Sequence, residues 1–254
     1  MTKKISISLH KFEDLVDPSF MSDLELPATN LSGELFEWFQ NACQAAADHP
    51  LMQPKKINDH IPEGEAATIE VVLCHPKTLG EVFDIGPRAL GIHNISVADC
   101  DPFGDDSCYT DKQRVLISWD AEFVSNLIQE SAYDEQDYPN AAMAWLTTLT
   151  HELQHVRLFM ENGNFNTPKD IEVMEEEIGH DLFDVSSGYG IRSLDVEGDE
   201  HEPEDMEDAR ALMEEHVEDY GRRMTDTLFT GDLSPNKFLE ISGVLDYMPA
   251  TLSF

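Results

Sequence analysis

His151 and His155 stand four positions apart in His151-Glu152-Leu153-Gln154-His155. Four residues are just over one helical turn, so on a helix both imidazoles leave the same face and can fill two corners of a tetrahedral zinc site. Glu152, beside the first imidazole, is placed to take a proton from an attacking water. In 254 residues with 10 His, chance would place this pattern about 0.04 times, so it carries information.

The flanking residues predict the helix the motif needs. Pro139 suits a first turn, no Pro or Gly occurs from Asn140 to Glu161, and Asn162-Gly163 supplies a stop. Apolar residues from Ala141 to Met160 cover most of the circumference, which predicts a buried helix. Buried imidazoles and a carboxylate are costly unless something satisfies them.

A hydrolytic zinc takes a third protein ligand and keeps one position open. After a turn over 162–168, Asp170–Phe183 has a second helical pattern with the stripe Ile171, Met174, Ile178 and Leu182. Glu177 flanks that stripe, and Asp181 follows one turn later, where a second carboxylate could orient a ligating His. Glu175, Glu176, His180 and Asp181 are alternative ligands, as is Glu215 on a later helix whose expected inward residues run from Met206 to Leu228. Donors for an oxyanion would come from Tyr189, Arg192, His216 or Tyr220.

H-E-x-x-H on one helix and Glu177-x-x-x-Asp181 on the next resembles the gluzincins, a branch of the zincin metallopeptidases. The resemblance spans residues 140–184 and implies His151, His155 and Glu177 as zinc ligands, Glu152 as general base and Asp181 as partner of a ligating His. It also implies a cleft lined by an edge strand of a small sheet, for which 113–119 is the candidate, pairing with an extended peptide.

Composition narrows the classes. The net charge is −35, from 51 acids against 16 bases. Such a surface repels nucleic acids and anionic membranes and favours basic peptides. Nine acids fall in the fourteen residues 195–208, read as a solvated loop broken by Gly198 and Pro203. No run reaches membrane-spanning length and no signal peptide is evident, so a cytoplasmic setting is expected. Of Cys43, Cys74, Cys100 and Cys108, none forms a C-x-x-C pair; reduced thiols are the default, although Cys100 and Cys108 bracket a loop that could close a disulfide.

Strands are predicted at 5–9, 67–75 and 114–119, and helices at 33–47, 79–85 and 121–131, ahead of the motif helix. Strands therefore precede the motif helix and helices follow it. The expectation is an α+β, zincin-like fold, with a small twisted sheet before the active-site helix and a mostly helical C-terminal part. Residues 1–65 would form an N-terminal extension or lobe and 66–254 the catalytic domain, unless the chain is one continuous domain. The expected function is zinc-dependent peptide hydrolysis; the rival is a non-catalytic zincin-fold or acidic interaction protein acting through its negative surface. The sequence does not define the oligomeric state.

Overall fold

The structure is a computed structural model and describes residues 5–53, 67–83, 86, 89–94, 112–162 and 203–248. The fold is α+β, mostly helical, around one four-stranded mixed sheet. The described strands are β1 (Ile5–Lys11), β2 (Ala67–Cys74), β3 (Gly91–Asn94) and β4 (Lys112–Ser118). Their order is β1-β2-β4-β3, with β1, β2 and β4 parallel and β3 antiparallel to β4. The described α-helices are α1 (Pro18–Asp23), α2 (Gly33–Asp48), α3 (Pro76–Phe83), α4 (Ala121–Ser131), α5 (Tyr138–Asn162), α6 (Pro203–Leu228) and α7 (Pro235–Ile241).

The interior strands are apolar on both sides, as a parallel strand covered on two faces must be. Ile69, Val71 and Leu73 of β2, with Val115 and Ile117 of β4, join the main core with α2, α5, α6 and α7. Val72, Cys74 and Leu116 face the other way, against Phe12, Val16, Leu26 and Leu79. β1 and α2, from the 1–65 segment, belong to the same sheet and core as β4 and α5.

This layering corrects the expected edge strand. Residues 112–118 lie inside the sheet, between β2 and β3. Their unbroken Val115-Leu116-Ile117 run fits a buried strand better than an edge. Beside α5 the edge is β3, a four-residue strand too short and polar to signal itself in the sequence. Pro203, read as a loop breaker, instead opens α6, a position where its missing N–H costs nothing.

α5 is fixed by its apolar face and by aromatic rings. Ala142, Trp145, Leu149, Leu153, Val156 and Met160, three or four apart, are all buried in the main core. Trp145 packs edge-on against Trp119 at 5.5 Å and stacks on Phe238 at 5.3 Å, tying α5 to the end of β4 and to α7. Trp119 donates its indole N–H to the Asn30 carbonyl at 3.1 Å. The face left over carries Thr148, His151, Glu152 and His155. No helix among the described residues is long and apolar enough to cross a membrane.

Candidate metal centre

The turn of α5 from Thr148 to His155 is clasped by two elements. On one side is β3: a Cβ added at Gly91 would lie 2.9 Å from Thr148 Cγ2 and 3.1 Å from Glu152 Cγ, so a larger residue there would have to displace these side chains. On the other is α6: a Cβ at Gly221 would lie 3.0 Å from His151 Cα and 3.1 Å from its N, so the two helices touch backbone to backbone. Beside that contact the Thr150 and Thr225 hydroxyls bond across the helices at 2.5 Å, both buried.

The close crossing brings Glu214, two turns ahead of Gly221, over the histidines. His151 Nε2 and His155 Nε2 are 3.2 Å apart, and Glu214 Oε2 lies 3.4 Å from the first and 3.5 Å from the second. A tetrahedral ion with bonds of about 2.0–2.2 Å needs donors about 3.3–3.6 Å apart. The three donors thus form one face of such a tetrahedron, and His151, His155 and Glu214 could hold a metal ion. The histidines are half-buried, while the Glu214 side chain is 47 % exposed.

Glu152 is the buried carboxylate of this turn. It is 7 % exposed. Burial raises its pKa above the usual carboxylate range, against the opposing pull of His155, His151 and the His93 backbone N–H. His151 is also raised: burial alone would lower it, but the bond to Glu214 and the charges of Glu152, Glu214 and Glu218 outweigh that cost. His93 Nε2 bonds to Gln113 Oε1 at 2.9 Å, and burial drives His93 down to about 3.

Of the residues singled out in the sequence, the structure brings His151 and His155 together, with the buried Glu152 between them in the same turn of α5. Glu177 and Asp181 lie outside the described residues, as do Glu175, Glu176, His180, Tyr189, Arg192, Cys100 and Cys108. Glu215, the α6 candidate, is exposed and outside the cluster, and the acid that meets the histidines is its neighbour Glu214, which the sequence reading missed. A signal for it existed. Glu214, Glu218, Gly221 and Thr225 recur at helical spacing, a polar and small stripe alongside the buried Val217, Met224 and Leu228. His216 and Tyr220, considered as oxyanion donors, pack instead on the buried Arg157. Its guanidinium donates to His216 Nε2 at 3.3 Å and lies 5.1 Å from the Tyr220 ring centre.

No family model, no curated protein and no solved structure matches the chain.

Proposed function

We propose that the chain is a zinc-dependent metallopeptidase of the zincin type. In this reading His151 Nε2, His155 Nε2 and Glu214 Oε2 hold the ion, with Glu218 one turn further along α6 where the gluzincin pattern has Asp. The observation that carries it is the convergence of these three donors at tetrahedral spacing beside the buried Glu152. A zinc ion bound there would polarise the scissile carbonyl and lower the pKa of water to about 7.

The chain's own residues do the rest. The Glu152 carboxylate takes the proton of the attacking water and delivers it to the leaving amine nitrogen. Its raised pKa makes it a stronger base than an exposed glutamate. Peptides with basic side chains are the favoured substrates, since the net charge is −35 and Glu214, Glu215 and Glu218 are all exposed on α6. The setting is the cytoplasm, where thiols such as the buried Cys43 and Cys74 stay reduced.

The test is metal analysis after purification in limiting metal, paired with a broad peptide-cleavage screen of wild type and Glu152→Gln. The expected result is one zinc per chain in both proteins, with hydrolysis in wild type only. A chain that takes up no transition metal on titration refutes the reading.

A further inference from the structure

We propose that β3 is the positioning element for Glu152, its backbone amide at His93 holding the carboxylate and Gly91 allowing the strand to come close enough. The proposal rests on Glu152 being the proton acceptor.

The strand's hydrogen-bond phase carries the argument. Ser118 N donates to Leu90 O at 2.8 Å, and the register runs Gly91 to Ile117, Ile92 to Leu116 and His93 to Val115. Antiparallel partners alternate between bonded and non-bonded pairs. With Leu90 bonded to Ser118, Ile92 falls at the next bonded position, and the amides of Gly91 and His93 point away from β4 toward the sheet's edge. A Cβ at Gly91 would lie 3.1 Å from Glu152 Cγ, so β3 runs against this side chain, and of its amides turned away from β4 the one at His93 acts on the Glu152 carboxylate.

Two further contacts fix the strand there. The His93 side chain turns toward α5, and its Nε2–H donates to the amide oxygen of Gln113, a β4 residue only 4 % exposed. Gly91 sits over Ile117 Cδ1, Thr148 Cγ2 and Glu152 Cγ, where a Cβ would meet all three at 3.1 Å or less. The strand's height above α5 is thus set by a glycine and its lateral position by a buried amide. A carboxylate bonded to a backbone donor has one orientation where a free one has several. A proton acceptor held in one orientation wastes no encounters with a misaligned water.

The test uses the full chain, isotope-labelled for NMR, with and without zinc. In Glu152→Ala the His93 amide proton should move upfield and lose exchange protection, while the Ile92 amide, bonded into the ladder, should not. Gly91→Ala should move the His93 resonance in the same direction. Adding Thr148→Ser, which removes the methyl at 2.9 Å, should return it partway.

In the activity arm, His93→Pro deletes the amide that the ladder does not use, and His93→Ala keeps it. The kcat of the Pro variant should fall about 10–100-fold below that of the Ala variant at equal KM and equal zinc content. A His93 resonance indifferent to Glu152→Ala overturns the contact, whatever the protein hydrolyses. Equal kcat in the Pro and Ala variants overturns the positioning role. A resonance that moves in a chain without hydrolytic activity supports the contact and refutes the peptidase reading instead.

Discussion

Gly221→Ala is the most direct test of how α6 builds the candidate metal centre. The added methyl would lie 3.0 Å from His151 Cα, 3.1 Å from His151 N and 3.4 Å from Thr150 C. Carbon atoms rest at about 3.5–4.0 Å, so the helices must part by about a few tenths of an ångström. All three atoms are backbone, and no side-chain rotation can relieve the overlap. Overpacking of this kind costs about 1–3 kcal/mol, and alanine's better helix propensity returns about 0.8–1.0 kcal/mol. The net effect on folding is therefore small, about 0–2 kcal/mol of destabilisation. The effect on the site should be larger. Parting the helices opens the Glu214 Oε2 distances from 3.4 and 3.5 Å, and a donor triangle of that size tolerates little change. Zinc affinity should fall about 10–100-fold, as when other supports of metal ligands are removed. The assay is competition with a chelator of known affinity, beside thermal melts with and without zinc. Gly33→Ala is the control, because a methyl there meets nothing within 4 Å. A folded Gly221→Ala protein that binds zinc like wild type would refute the claim that this contact sets the ligand geometry.

Within one affinity series, Glu214→Ala should weaken zinc binding by more than about 100-fold and Glu215→Ala should barely change it, since only the first removes a direct bond; a series that singles out Glu215 or Glu177 would move the third ligand there. His93 is neutral in the folded chain down to pH about 3, whereas an unfolded histidine gains its proton near pH 6.5. Unfolding therefore takes up a proton between those values, and stability falls as pH falls through that window, by up to about 1.4 kcal/mol per unit. His93 faces Gln113, Glu152 and His155, so denaturant midpoints of zinc-free His93→Gln against wild type from pH 7 to 4 isolate its share; parallel curves would contradict the assignment. Basic peptides should be cleaved faster than acidic ones at low salt, mainly through KM, and the preference should shrink toward 1 M salt, where the screening length is about 3 Å. A substrate panel blind to peptide charge would leave the acidity a matter of solubility.

What the sequence disclosed was local. The spacing of His151 and His155 lies within one helical turn, and the Ala142-to-Met160 stripe is written in consecutive turns of the same helix, so both were legible without any tertiary information. β2 and β4 announced themselves through Val71-to-Leu73 and Val115-to-Ile117, apolar runs that suit a core on both faces. What stayed hidden depends on how distant segments approach. The choice of Glu214 over Glu215 is a rotation of about 100° on one helix, and the Gly221 contact with the His151 backbone decides it. Tyr220, considered from the sequence as an oxyanion donor, has other neighbours. Tyr220 in fact lies between two guanidiniums, those of Arg157 and Arg223 at 5.1 and 5.0 Å, a contact that keeps an aromatic ring beside the core without burying it. β3 was hidden for a different reason: Gly91-Ile92-His93-Asn94 lacks β-branched alternation, and its place depends on β4 and α5 rather than on its own propensity.

The two glycines divide the work of the site. Gly221 brings a helix against the His151 backbone and so governs where Glu214 Oε2 stands relative to the two imidazoles. Gly91 brings a strand against Thr148 and Glu152 and so governs the carboxylate one residue along. α5 itself cannot move to absorb either change, because Trp145, Leu149 and Leu153 lock its opposite face into the core. An insertion on the α6 side therefore acts on ligand spacing, and one on the β3 side acts on the orientation of Glu152. In an enzyme of the proposed kind, these are the two quantities that must be right together: a donor triangle sized for the ion, and a base aimed at the water beside it. Both are set by the absence of a side chain, which is why the residues that position the chemistry are among the least conspicuous in the sequence.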